Sequence, residues 1–171
     1  LKRSIFIFFN ILRSLLKLKI SLAVKNFFKL CNFFFIYKKY WCFDKICTLE
    51  KEYQMKSIWN FYGGHNSKKS LAKLIFDPSY DINEKDLSIQ IRKLKSEGHL
   101  IGLHQAFNSW KDKALMEIEK KNIEKSLGEK IKVCRQHWLR FSLLHTWKAQ
   151  EQSGFELDTT LGFNEISGFR N

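Results

Sequence analysis

The chain has 171 residues, of which 44% are apolar and 27% charged, enough for one hydrophobic core and too apolar for a disordered polymer. One proline and eight glycines exclude collagen-like, proline-rich and flexible-linker classes. The net charge of +13 is unevenly placed: residues 1–43 hold nine Lys/Arg and no acid before Asp44, which leaves 21 basic against 17 acidic side chains afterwards. The basic character belongs to the N-terminal arm, so a whole-chain argument for nucleic acid fails.

The sequence starts at Leu1, which reads as a processed product or a piece of a longer chain. Lys2 and Arg3 ahead of the apolar stretch Ser4–Leu12 follow the logic of a secretion signal, but no small-residue cleavage site follows. Lys17, Lys19, Lys25 and Lys29 interrupt the continuation, so no apolar run reaches the ~18–20 residues that cross a bilayer. The expectation is no transmembrane helix, and a cytoplasmic or membrane-peripheral location. Cys31, Cys42, Cys47 and Cys134 form no C-x-x-C pair and read as buried free thiols of a reducing compartment.

Residues 1–55 form one organisational unit. Phe6, Phe9, Leu12 and Leu16 recur at helical spacing, as do Val24, Phe27, Phe28 and Cys31, with lysines on the remaining faces. Two readings apply: a helical insertion packed on the domain with its lysines in water, which the wide Phe-rich faces favour, or a basic amphipathic arm on an anionic membrane or on phosphates. No aromatic-plus-basic pattern of the RNA-recognition kind is present.

Residues 56–171 are organised differently. Lys56–Tyr62 alternates and predicts a strand. Asp86–Glu97 predicts a helix with Leu87, Ile91 and Leu94 inward, stopping at Gly98 before the strand His99–His104. Asp112–Leu127 predicts a helix with Leu115, Ile118 and Ile123 inward, stopping at Gly128 before the strand Lys130–Trp138. Ser142–Ser153 predicts a helix stopping at Gly154 before the strand Phe155–Leu161. Three successive helix–glycine–strand units predict β/α alternation and a parallel sheet.

Ligands of parallel α/β folds bind at the carboxyl ends of the strands. Those ends carry His65 after Gly63-Gly64, then His104, then Arg135 with His137 and Trp138, then Asp158 with Thr159 and Thr160. Each has a plainer role open to it. His104 can be a hydrogen-bonded structural residue, Arg135 can pair with a carboxylate of the next helix, and Asp158 can cap a turn. His99, at the opposite strand end, reads as loop. No G-x-S-x-G, P-loop, G-x-G-x-x-G or H-E-x-x-H occurs, so serine hydrolase, nucleotide and zincin chemistry lack their motifs.

The segment Gly98-His99-Leu100-Ile101-Gly102-Leu103-His104 resembles the GHEIGxH segment of the polysaccharide deacetylase family, the NodB-homology carbohydrate esterases. Arg135–Phe141 (RQHWLRF), Asp158–Phe163 (DTTLGF) and Gly168-Phe169-Arg170 resemble one branch of that family, which also tends to carry a basic helical insertion. The resemblance is specific over roughly residues 40–171. It implies an α/β fold, part of a distorted (β/α)7-type barrel with an N-terminal helical segment, and removal of acetyl groups from an N-acetylated polysaccharide or oligosaccharide. It further implies a divalent metal, usually zinc, held by one aspartate and two histidines, beside an aspartate base, an arginine that orients it and a late histidine acid.

Matched to this chain, His104 takes the place of the first histidine of the family's H-x-x-x-H motif, and Asn108 stands at the second. Asn108 is a poorer zinc ligand than imidazole. Arg135 matches the base-orienting arginine and Trp138 the aromatic that walls the acetyl pocket. His137 has no counterpart in the general motif, so it reads as a substitute ligand or a structural residue, and Asp158 joins it among the pocket candidates. The family's aspartate pair would precede Leu1 and its acid histidine would follow Asn171, so the chain reads as an interior fragment or a decayed homologue. Three functions are therefore expected in order: a deacetylase completed by residues outside this sequence, an inactive carbohydrate-binding relative with weak or no metal, and a membrane-surface protein acting through residues 1–43.

Overall fold

The computed structural model describes residues 2–35, 41–64, 75–162, 166 and 168, and it divides into two compact units, Leu1–Leu49 and Glu50–Asn171. In the first, α1 (Lys2–Leu16) and α2 (Ile20–Phe35) are joined by three residues and pack together as a hairpin. Leu18 makes the reversal in the left-handed region, at φ 53°, and Lys19 N–H closes the end of α1 on the Ser14 carbonyl at 2.9 Å. The boundary between units falls within α3 (Phe43–Glu52).

The second unit alternates β1 (Ile58–Tyr62), α4 (Lys85–Ser96), β2 (Leu100–His104), α5 (Lys113–Leu127), β3 (Val133–Arg135), α6 (Thr146–Gln152) and β4 (Leu157–Asp158). The four strands lie in sequence order and every pairing is parallel. This is an α/β fold. The helices end where expected: Gly98, Gly128 and Gly154 have φ of 90°, 91° and 69°, a region that costs a side-chain-bearing residue energy. At its start α5 is capped by Asp112, whose carboxylate accepts the Leu115 N–H at 3.1 Å.

The core lies between sheet and helices. Ile91 and Leu94 of α4, Leu103 of β2, and Met116 and Ile123 of α5 are each fully buried. Leu87 also faces inward on α4. On α5 the expectation fails for two residues: Leu115 and Ile118 stay 39% and 52% exposed, while Met116, Glu119 and Ile123 turn inward. The inward arc of α5 contains a carboxylate with a job, described below, and an apolar pattern cannot register it.

The later strands are shorter than expected. β3 stops at Arg135 because the next N–H, that of Gln136, leaves the ladder for the Thr160 hydroxyl at 2.9 Å. β4 stops at Asp158 because its carboxylate turns the chain by accepting the Thr160 N–H at 2.8 Å. α6 begins at Thr146 rather than Ser142, since the Thr146 hydroxyl accepts the Ser142 N–H at 2.9 Å across a turn.

Candidate functional site

Register places three chemical groups in one row at the carboxyl ends of the strands. Tyr62 pairs with His104, and His104 pairs with Arg135. Side chains alternate across a strand, so these three project from the face opposite Leu103, the residue sunk beneath the helices. Close strand approach at this face needs Gly102: a Cβ there would run into the Asn60 side chain and sit 3.0 Å from the Val133 carbonyl.

His104 Nε2 lies 2.5 Å from His137 Nδ1, and His137 Nε2 lies 2.6 Å from the Phe76 carbonyl oxygen. A carbonyl can only accept, so the His137 proton sits on Nε2 and its Nδ1 offers a lone pair toward His104. Burial drives the His104 imidazole down to about 4, with His137 and the Arg135 guanidinium adding repulsion. His104 is therefore neutral at physiological pH. Arg135 is anchored by an Nη1–H donated to the Thr159 carbonyl at 2.8 Å.

Aromatic side chains wall the dyad. Phe76 and Phe107 stack with ring centroids 4.4 Å apart, and Trp138 meets both edge-on at 5.7 and 6.2 Å. Trp138 is 64% exposed, so one face of its indole is open to a ligand. Trp138 and Leu139 both occupy the left-handed region, at φ 56° and 52°, which costs about 1–2 kcal/mol per residue. The Arg140 guanidinium lies over the Phe107 ring at 4.2 Å and donates to the Phe107 carbonyl at 2.7 Å, fixing the wall from behind.

The loop that carries Phe107 is tied down by two buried acids. Asp77 Oδ1 accepts the Phe107 N–H at 2.7 Å. Glu119 Oε2 accepts the Ala106 N–H at 3.1 Å and the Ser109 hydroxyl at 3.0 Å. Beside them the Tyr62 phenol is pushed well above its usual range, first by burial and then by the charges of Asp77 and Glu119. Neither acid has a sequence signal, because a single carboxylate within an amphipathic helix or a loop reads as solvent-facing. Phe107 and Arg140 flank recognisable segments, whereas nothing local distinguishes Phe76.

Two of the expected site residues have other partners. Asn108 is exposed, and its Oδ1 accepts from Arg140 at 3.2 Å. Asp158 accepts from Gln150 Nε2 at 3.1 Å, from the Thr160 N–H and from the Thr160 hydroxyl, the turn-capping role left open above. His65 lies outside the described residues, as does most of the Gly168-Phe169-Arg170 segment. His99 lies in the loop before β2 as expected, but it is buried: it is 2% exposed, and its Nδ1 accepts the Ser57 N–H at 3.3 Å with Glu50 Oε2 at 3.6 Å. None of the four cysteines forms a disulfide among the described residues, and Cys47 and Cys134 are buried as expected but Cys42 is exposed and Cys31 half-buried.

The donor chemistry at the dyad suits a divalent cation in part. Two imidazole nitrogens converge, and the second nitrogen of His137 is held by a carbonyl, as the outer nitrogen of a metal-bound histidine usually is. Among the described residues, no third His, Cys, Asp or Glu brings a ligand atom within 4.8 Å of both. Gln105 and Gln136, wholly buried where the chain leaves β2 and β3, keep side-chain amides with no hydrogen-bond partner among the described residues. Comparison of the chain with known protein families, with characterised proteins and with solved structures gives no match.

Proposed function

We propose that this chain is a polysaccharide deacetylase-like hydrolase, acting on the N-acetyl groups of a sugar polymer through the rim that His104, His137 and Arg135 share. The observation that carries the reading is the 2.5 Å approach of His104 to His137. In the motif that Gly98–His104 resembles, a second imidazole is expected four residues beyond His104, where Asn108 stands. On this proposal His137 supplies the missing imidazole from the next strand, and the strands belong to a distorted (β/α)7-type barrel.

A zinc-like cation held by the two imidazoles, in place of the proton that His104 Nε2 shares with His137 Nδ1, would supply a polarised acetyl carbonyl and an acidified water when bound. The chain's own residues do the rest. Burial keeps His104 neutral at neutral pH, and the Phe76 carbonyl holds the His137 proton on Nε2, so that its Nδ1 lone pair faces the His104 Nε2–H. The Arg135 guanidinium, fixed by Thr159, presents positive charge toward the same rim and would orient a carboxylate or an oxyanion there. Trp138, backed by Phe76 and Phe107, offers a flat apolar face of the kind that stacks on a sugar ring.

The test pairs zinc binding by equilibrium dialysis with acetate release from N-acetylated chito-oligosaccharides. His104→Ala and His137→Ala should each weaken zinc at least tenfold. His104→Ala and Arg135→Ala should each abolish acetate release with the fold intact. Full activity in both of the latter sinks the assignment. A second reading, glycan binding without turnover, is favoured by Asn108, whose carbonyl oxygen is engaged by Arg140. Glycan retention that Trp138→Ala removes, with no acetate released by the parent chain, would select it.

A further inference from the structure

The helical hairpin of the first unit is built inside out for a water-soluble pair. Its buried contacts are small: Ser14 and Ala23 are 5% and 4% exposed, and the Ser14 hydroxyl is turned back onto the Asn10 carbonyl at 2.7 Å. Of the large side chains described, the phenylalanines point away while Ile7, Ile11 and Leu30 are half-buried. On α1, Phe8, Phe9, Leu12 and Leu16 are all exposed, and at ~100° per residue they share about a third of the helix circumference. On α2, Val24, Phe27 and Phe28 repeat the arrangement, with Phe9 and Phe28 61% and 62% exposed. Small residues at the helix contact with bulky apolar residues outward is the packing of helices whose surroundings are lipid.

Cations border both apolar arcs. Arg13 lies beside the arc of α1 and Lys17 just past its last turn, Lys25 and Lys29 lie beside that of α2, and no acid occurs before Asp44. Between the helices lies a cavity of about 340 Å³ whose lining includes Arg13, Lys17 and Lys19 with the side-chain amides of Asn10 and Asn26, beside Leu22 and a Ser14 whose hydroxyl is spent on the Asn10 carbonyl. Such a lining suits a phosphate. No described helix is long and apolar enough to cross a membrane, and the charges interrupt each one. Wide apolar arcs, flanking lysines and moderate length describe helices that lie in the headgroup layer.

We propose that the α1–α2 hairpin docks on an anionic bilayer, its Phe-rich arcs in the acyl boundary and a lipid phosphate in the Arg13–Lys17–Lys19 cavity. This goes beyond the hydrolase reading and is independent of it. The cationic surplus argues for an anionic surface, and the outward phenylalanines argue for lipid rather than nucleic acid, whose phosphates would leave them in water.

The test is flotation of the full chain with phosphatidylcholine vesicles, with and without phosphatidylserine. The chain should float with the anionic vesicles and stay behind with the neutral ones, and added salt should release it. Lys17→Glu/Lys19→Glu should weaken partitioning at least tenfold, from about fivefold per surface cation, and Phe27→Ser/Phe28→Ser should do likewise. All four side chains are exposed, and unchanged circular dichroism verifies that the helices persist. Inorganic phosphate should release no more protein than chloride at equal ionic strength. Equal flotation with neutral vesicles, anionic binding unchanged in both variants, preferential release by inorganic phosphate, or tighter binding to DNA or RNA than to vesicles would each overturn the proposal.

Discussion

At the scale of single residues, the site is held by groups whose protonation is controlled by burial. The neutral His104 has a consequence for stability as well as for ligation. Its folded pKa, about 4, lies below the ordinary histidine value near 6.5, so the unfolded chain takes up the proton first as pH falls. The stabilising difference is complete above about pH 6.5 and is lost toward pH 4, by about 3 kcal/mol at the limit. Urea unfolding with a chelator present should therefore show a stability loss between pH 7 and pH 4.5 that His104→Gln flattens. An unchanged slope in the variant would assign the acid sensitivity elsewhere. The amides of Gln105 and Gln136, unpartnered among the described residues, and the left-handed Trp138 and Leu139 add energetic cost at the same rim, where binding sites commonly concentrate it.

At the scale of elements, two glycines separate conformational need from steric need. Gly128 ends α5 at φ 91° with open space around it, so Gly128→Ala should cost only the left-handed penalty, about 1 kcal/mol. At Gly63, just after β1, a Cβ would collide with the Glu119 backbone carbonyl in α5, and the Asn122 amide already donates to the Gly63 carbonyl at 2.8 Å. A helix backbone cannot step aside as a side chain can, so Gly63→Ala should cost about 2–3 kcal/mol. Thermal unfolding of the two variants compares them directly, and equal losses would mean that α5 yields.

The same elements show what was legible in the sequence. Existence and order of the helix–strand units could be read because each helix ends at a glycine that its backbone requires. Boundaries could not be read for β3 and β4, because both are ended by side chains, Thr160 and Asp158, acting across the sheet edge. The inward face of α5 was misread because Glu119 is buried to tie a loop. At the site, His104, His137, Arg135 and Trp138 were visible as strand-end residues. Which of them meet was not, since His137 is held against His104 by distant partners: the Phe76 carbonyl on its Nε2 and the Thr160 hydroxyl on the Gln136 N–H just before it.

At the scale of the whole molecule, the two units differ in composition and in how they bury their side chains. The second has an apolar core between sheet and helices, whereas the hairpin of the first keeps Phe8, Phe9, Phe27 and Phe28 exposed. The cysteines sample both. Burial, with the negative charge of Asp158 behind it, pushes the Cys134 thiol far above its ordinary range. Maleimide labelling of the native chain followed by mass spectrometry should modify Cys42 first, then half-buried Cys31, and leave Cys47 and Cys134 untouched until denaturant is added. Native labelling of Cys134 would show that the β3–β4 edge opens readily.

The row formed by Tyr62, His104 and Arg135 also limits how such a rim can diversify. Each of the three sits at the last position of its strand, and side-chain direction inverts with every residue along a strand. Adding or removing one residue inside β2 would bring Leu103 to the open face and drive the imidazole of His104 under the helices. Length changes are therefore tolerable only downstream of the strand ends, where the chain has already left the ladder. New specificity on this scaffold must come from exchanging strand-end side chains or lengthening the loops after them, while the spacing from Ile58 to Tyr62 and from Leu100 to His104 stays constant.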